Sequence, residues 1–128
     1  MKKQLAQVYQ FHQTAGSTGV PTPTKDIPED VKRLRIRLIQ EEAAEVVQAI
    51  ESESIDALAK ELADLLYVTL GTVESFGLGA AMEEVFDAVH SNNMGKFDGD
   101  VHTNVDGKIV KKAGYAKPDI KAILEKYL

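Results

Sequence analysis

The sequence predicts an all-α protein, a helical bundle of oligomeric type carrying a short C-terminal hairpin and tail. Apolar residues recur at helical spacing through almost the whole middle of the chain. Pro and Gly gather in a few short stretches that separate those segments instead of interrupting them. Only Asn104-Val-Asp-Gly107 has the composition of a hairpin turn. At 128 residues, with no internal repeat, low-complexity tract or linker, the chain reads as one domain, 1–128.

Taken in order, Gln4 to Gln13 forms a short helix with Leu5, Val8 and Tyr9 on one side. From Thr14 to Pro28 the chain turns to Gly, Ser, Thr and Pro, a loop of a length that usually serves function or moves. Pro28 suits a first helical turn, and Glu29 and Asp30 complement the dipole of a helix reaching about Glu51. Ser52 or Ser54 can cap the next helix, which runs to about Phe76 and stops at Gly77 and Gly79. A third long helix, from about Ala80 to Met94, ends at Gly95. Val101–Thr103 and Lys108–Val110 flank the hairpin turn, and Pro118-Asp119 opens a terminal helix to about Tyr127. So many apolar positions in so short a chain predict self-association.

Composition narrows the function classes. The chain is 44% hydrophobic and 27% charged, ordinary for a globular protein. No stretch approaches the ~20 apolar residues of a membrane span, and Met1-Lys-Lys-Gln4 leads into no apolar leader core, so no membrane partner is expected and the cytoplasm is the default location. Without cysteine there is no disulfide framework, thiolate catalysis or Cys-ligated metal. A net charge of −5 argues against a nucleic-acid partner. That charge is unevenly spread: Leu38 to Gly95 holds twelve Asp and Glu against one cation, Lys60, and the flanks are net basic.

The sharpest anomaly lies on the helix around Leu38. At 100° per residue, Glu42 falls about 40° from Leu38, Glu45 about 20° and Glu41 about 60°, within the stripe marked by Val31, Leu34 and Ala49. Carboxylates on an apolar stripe raise one another's pKa and need positive charge beside them. Glu61 and Asp64 repeat the pattern more weakly on the next helix, beside Leu58, Leu62, Leu65 and Val68. Two antiparallel helices would bring the pairs into one cage of hard oxygen donors, suited to Mg²⁺ or Mn²⁺ and to two or more ions completed by phosphate. The bland alternative is a solvated Glu-rich face with Arg33, Arg35 and Arg37 upstream.

Glu42-Ala-Ala-Glu45, fifteen residues, then Glu61-Leu-Ala-Asp64 resembles the E-x-x-E…E-x-x-D signature of the all-α nucleoside triphosphate pyrophosphohydrolases. These include MazG-like proteins, dimeric dUTPases and phosphoribosyl-ATP pyrophosphohydrolases; Leu38–Glu45 with Glu61–Val68 looks most like the MazG-like branch. Asn93-Met-Gly-Lys96 is similar to the family's third element, although Gly95 stands where a small hydroxyl residue is common. Phe11-His12 and the run from Asp106-Gly-Lys through Gly114-Tyr-Ala-Lys-Pro-Asp-Ile120 resemble the two ends of such chains.

The resemblance implies that Glu42, Glu45, Glu61 and Asp64 bind Mg²⁺, with Mn²⁺ a substitute, and that Glu41, Glu42 and Glu45 form the catalytic set, Glu41 orienting the attacking water. It implies substrate contacts from Asn93 and Lys96. Tyr67, one turn beyond Asp64, could approach a base or sugar; His12 and Gln13, before the loop, could reach the nucleotide; and Lys117 could hold phosphate charge. His90 and His102 read as a helix-surface and a strand position. The implied reaction is attack of water at the α-phosphorus of a small-molecule nucleotide, releasing pyrophosphate and a monophosphate, in a homodimer or homotetramer. dUTP leads as substrate by analogy with housecleaning enzymes. Phosphoribosyl-ATP hydrolysis and a non-catalytic metal- or nucleotide-binding module are the alternatives. A ferritin-like di-iron bundle needs two Glu-x-x-His motifs, and the chain offers only Asp87-x-x-His90.

Overall fold

The computed structural model describes residues 1–17, 19–52, 54–97, 102–110 and 117–128. Among these residues are five helices: α1 (Lys2–Thr14), α2 (Glu29–Ser52), α3 (Ile55–Ser75), α4 (Met82–Met94) and α5 (Ile120–Glu125). One two-stranded antiparallel ribbon, β1 (His102–Thr103) with β2 (Ile109–Val110), lies between α4 and α5 in sequence. The chain is all-α, and its contacts divide it into two compact units, Met1–Gly79 and Ala80–Leu128. No helix among the described residues is long and apolar enough to cross a membrane.

In the first unit α3 is the central helix, packed on α2 along much of its length and on α1. Val8 from α1, Val46 and Ala49 from α2, and Leu70 and Val73 from α3 are buried, joined by Ile27 from the preceding loop. The stops of α1 and α3 are glycine-made. Gly77 at φ 69° lets its own N–H reach Glu74 O and that of Leu78 reach Val73 O, the paired bonds that close a helix C-terminus. Gly16 at φ 78° does the same for α1, through Gly16 N–H to Gln13 O and Ser17 N–H to His12 O.

The proline-rich segment is held against the end of α3. Thr24 N–H donates to Phe76 O at 3.1 Å, and Lys25 Nζ lies 5.0 Å from the centre of the Phe76 ring. A Cβ at Gly77 would stand 2.1 Å from Thr22 O, and one at Gly19 2.8 Å from Glu74 O. Main chain approaches main chain here as only glycine permits.

Ser54 is the N-cap of α3, but its hydroxyl makes no capping bond to the helix backbone. As the sequence predicts, α4 ends at Gly95, which at φ −63° leads into a 3-10 turn, Gly95–Phe97. The hairpin strands are two residues each, pairing His102 with Val110 and Thr103 with Ile109; Val101 lies outside the described residues. Asn104 Oδ1 organises the turn by accepting from the N–H of Asp106 and of Lys108, both at 3.0 Å. In the second unit Asp119 caps α5 through Ala122 N–H, and α5 is tied to α4 by Lys126 and Tyr127 on the Glu84 carboxylate.

Candidate active site

Helical spacing of three places Glu42 and Glu45 side by side on α2, and Glu61 and Asp64 side by side on α3. Packing of α2 against α3 brings one carboxylate oxygen from each of Glu42, Glu45 and Glu61 within 4.8 Å of the others. Glu42 and Glu61 are half-buried and Glu45 is exposed at the rim. One oxygen of Glu42 and one of Glu61 are fully buried without a hydrogen-bond donor. The Glu42 carboxylate, then Glu61, push Glu45 above the usual carboxylate range.

Three acids facing one another with undonated oxygens need a cation, and Lys60 supplies one. Its Nζ stands 2.8 Å from Asp64 and 3.2 Å from Glu61, and the two acids, Asp64 foremost, hold the ammonium well above the usual lysine value. The lysine side chain is 64% exposed, so this pairing is screened and exchangeable. An all-oxygen donor set of this charge, with two orphaned buried oxygens, fits a hard divalent cation. Asp64 lies outside the close set of three but lines the adjoining cavity with Glu42.

That cavity, of about 360 Å³, opens between α1, α2 and α3. Leu38 and Val68 line it, and so do Phe11 and Tyr67, whose rings meet edge to face with centres 5.6 Å apart. His12 is half-buried; burial first, and the charge of Arg35 second, hold its imidazole below the usual histidine value. Arg35, also lining the cavity, is buried, with 9% of its surface exposed and no hydrogen-bond partner for Nε. Gly71 makes the room: a Cβ there would stand 2.4 Å from Arg35 Nη1 and 3.1 Å from His12 Nε2.

The cavity thus collects Glu42, Asp64, His12 and Tyr67 from the residues singled out in the sequence. Others lie elsewhere. Glu41 is exposed and faces Arg37 at 3.9 Å. Gln13 is exposed and donates to Tyr9 Oη at 2.8 Å. Asn93 is exposed at the end of α4, Lys96 half-buried in the 3-10 turn, and Lys117 exposed before α5, all in the second unit. His90 and His102 are exposed.

Arg35 is what the sequence reading missed, grouped as it was with two solvated neighbours. The signal was present: Arg35 falls about 60° from Leu38, beside Glu42 on the helix wheel, whereas Arg33 and Arg37 fall about 140° and 100° away on the other side.

Two comparisons bear on these residues. The family described as phosphoribosyl-ATP pyrophosphohydrolase matches residues 8–93, about two-thirds of the chain. No curated protein matches it.

Proposed function

Because the chain belongs to the phosphoribosyl-ATP pyrophosphohydrolase family, within the MazG-like all-α nucleoside triphosphate pyrophosphohydrolases, and is therefore a nucleotide pyrophosphohydrolase, we propose that it hydrolyses nucleoside triphosphates to monophosphate and pyrophosphate with Mg²⁺. dUTP is the leading substrate. One observation carries the reading: the undonated buried oxygens of Glu42 and Glu61, grouped with Glu45, where Glu42 also lines an aromatic-lined cavity.

Glu42, Glu45, Glu61 and Asp64 would hold the metal, and Mn²⁺ would serve in its place. When bound, the metal supplies neutralisation of phosphate oxygens and a lowered pKa for attacking water. The remaining work falls to positioning, which dominates phosphoryl transfer. Phe11 and Tyr67 offer ring surface to a base, and Lys60 swings out of the cluster. Glu41, one turn from Glu45 and free to leave its exposed partner Arg37, orients the water. By resemblance, Asn93, Lys96 and Lys117 are assigned to phosphate binding, and His12 and Gln13 are assigned to the nucleotide. The family match crosses from the first unit into the second, which supports one functional domain over 1–128.

Exposed apolar side chains on α2 and α3, namely Ile36, Val47, Ile50, Ile55, Leu62 and Leu66, support self-association as a homodimer or homotetramer. Light scattering after gel filtration tests this; a monomer at micromolar concentration contradicts it.

The deciding experiment incubates the protein with each dNTP and NTP, and with phosphoribosyl-ATP, in Mg²⁺ or EDTA, and resolves the products. Magnesium-dependent monophosphate and pyrophosphate from dUTP supports the reading. The family description favours phosphoribosyl-ATP as the second candidate, and cleavage of that compound alone would replace the first.

A further inference from the structure

Seven residues, two helical turns, separate Glu42 from Arg35 on α2, and the same interval separates Asp64 from Gly71 on α3. The cavity accordingly has an acidic end and a cationic end about 10 Å apart. A nucleotide is about that long from its 5′-phosphate to the outer edge of its base. Phe11 and Tyr67, lining the same cavity, suit the face of a base ring.

The cationic end is built with care. A guanidinium has five N–H donors and accepts nothing. Arg35 is withdrawn from water, its Nε has no partner, and no carboxylate among the described residues pairs with it. A buried charge in that condition calls for an acceptor from outside the chain. The Gly71 notch fixes where the guanidinium lies, and His12 Nε2 crowds the same point. The acidic end is already spoken for by metal and phosphate, which leaves the base to meet Arg35.

We propose that Arg35, seated in the Gly71 notch beside His12, is a specificity-determining residue that donates to the carbonyl oxygen at position 4 of a pyrimidine or position 6 of a purine, so that the enzyme selects keto-edged over amino-edged nucleotides. The inference rests on the reading that the triphosphate lies at the carboxylates. Uracil, thymine and guanine present an acceptor at that position. Cytosine and adenine present an amino group, which sets donor against donor in a dry pocket and leaves both unpaired.

The test compares kcat/KM for dUTP and dCTP, which share ring size, and for dGTP and dATP, in Mg²⁺. The native protein is expected to favour dUTP over dCTP, and dGTP over dATP, by about tenfold to a hundredfold, the range of a charge-assisted hydrogen bond. In Arg35→Gln, whose amide can donate or accept, the ratios fall to within about threefold, chiefly through a higher KM for the keto substrates. Gly71→Ala favours the helix and leaves Arg35 in place in the sequence, but drives its guanidinium off the notch; the same levelling is expected without loss of fold. A native preference for dCTP, or an equal loss on every substrate in both variants, overturns the proposal, the latter by placing Arg35 on the sugar or phosphates.

Calorimetric titration of dUMP and dCMP in EDTA separates the two readings. Tighter binding of dUMP that vanishes in both variants supports the base contact even if no triphosphate is cleaved, an outcome that would remove the proposed chemistry alone. Cleavage without Arg35-dependent discrimination removes this inference alone.

Discussion

The two ends of the cavity between α1, α2 and α3 carry opposite charge and handle it in opposite ways. At the acidic end Glu45 is exposed, Glu42 and Glu61 half-buried, and the cation paired there among the described residues is a lysine on a flexible, largely exposed stem. At the other end a single Arg is buried in a glycine notch, with no acid among the described residues paired to it. An end that must exchange metal and charged product needs access to water and weak, screened partners. An end that discriminates between ligands gains from rigidity and dryness, because an unmatched group there has no water to fall back on. On the proposed reading, the carboxylates serve exchange and Arg35 serves selection.

The largest expected effect falls at the acidic end. Glu45→Ala or Asp64→Ala should lower turnover by about a thousandfold or more, as loss of metal-held charge stabilisation does. Both positions are at least partly exposed, so the far-UV circular dichroism should be unchanged. Normal rates in both variants would dissociate the carboxylates from the chemistry.

Lys60→Met sharpens the comparison from the other side. Without the ammonium beside Asp64 and Glu61, metal no longer has to displace a cation, and half-saturating Mg²⁺ should fall by about two- to fivefold. A requirement for more Mg²⁺ would make Lys60 a helper of the site instead of a competitor.

A smaller effect separates the ends by pH. His12 is held below its ordinary value of 6.5, so the unfolded chain binds its proton first. Stability is therefore constant above about that pH, declines as pH falls through 6.5, and levels off below the lowered folded value. Urea unfolding between pH 8 and 5 should show that decline in the native protein and less of it in His12→Asn. An identical slope in both would mean that another group carries it.

The smallest effect lies outside the cavity. Glu84 is held below the usual carboxylate range by Lys126 first and Tyr127 second, so its contribution is present above pH 4.5 and lost as pH falls through the lowered value. This pairing is exposed, and Glu84→Gln should lower the melting temperature by only about 1–2 °C at pH 7. Scanning calorimetry at pH 7 and pH 3.5 checks it, since the difference between variant and native should shrink in acid.

Much of this was legible in the sequence because it depends on local periodicity. Three-residue spacing put each acid pair on one helix face, and Gly77 marked the end of α3. What was missed depends on which helix lies across the way. Glu41, Glu42 and Glu45 all fall near the apolar stripe, yet only Glu42 and Glu45 meet Glu61, because α3 crosses on their side. The role of Gly71 is invisible in one dimension, where it is a mild flaw in a good helix; its meaning comes from Arg35 and His12, remote in the chain.

The clasp between the proline-rich segment and the end of α3 bears on where this chain can be cut or extended. By composition, residues 19–28 look like the natural place for an inserted tag or a protease nick. Their main chain lies against α3 so closely that neither Gly19 nor Gly77 has space for a methyl group, Thr24 is bonded to Phe76, and Ile27 is buried. Lys25 should accordingly resist trypsin while the first unit is folded. Residues added there would have to be accommodated by loosening the final turn of α3, one turn beyond the notch that holds Arg35.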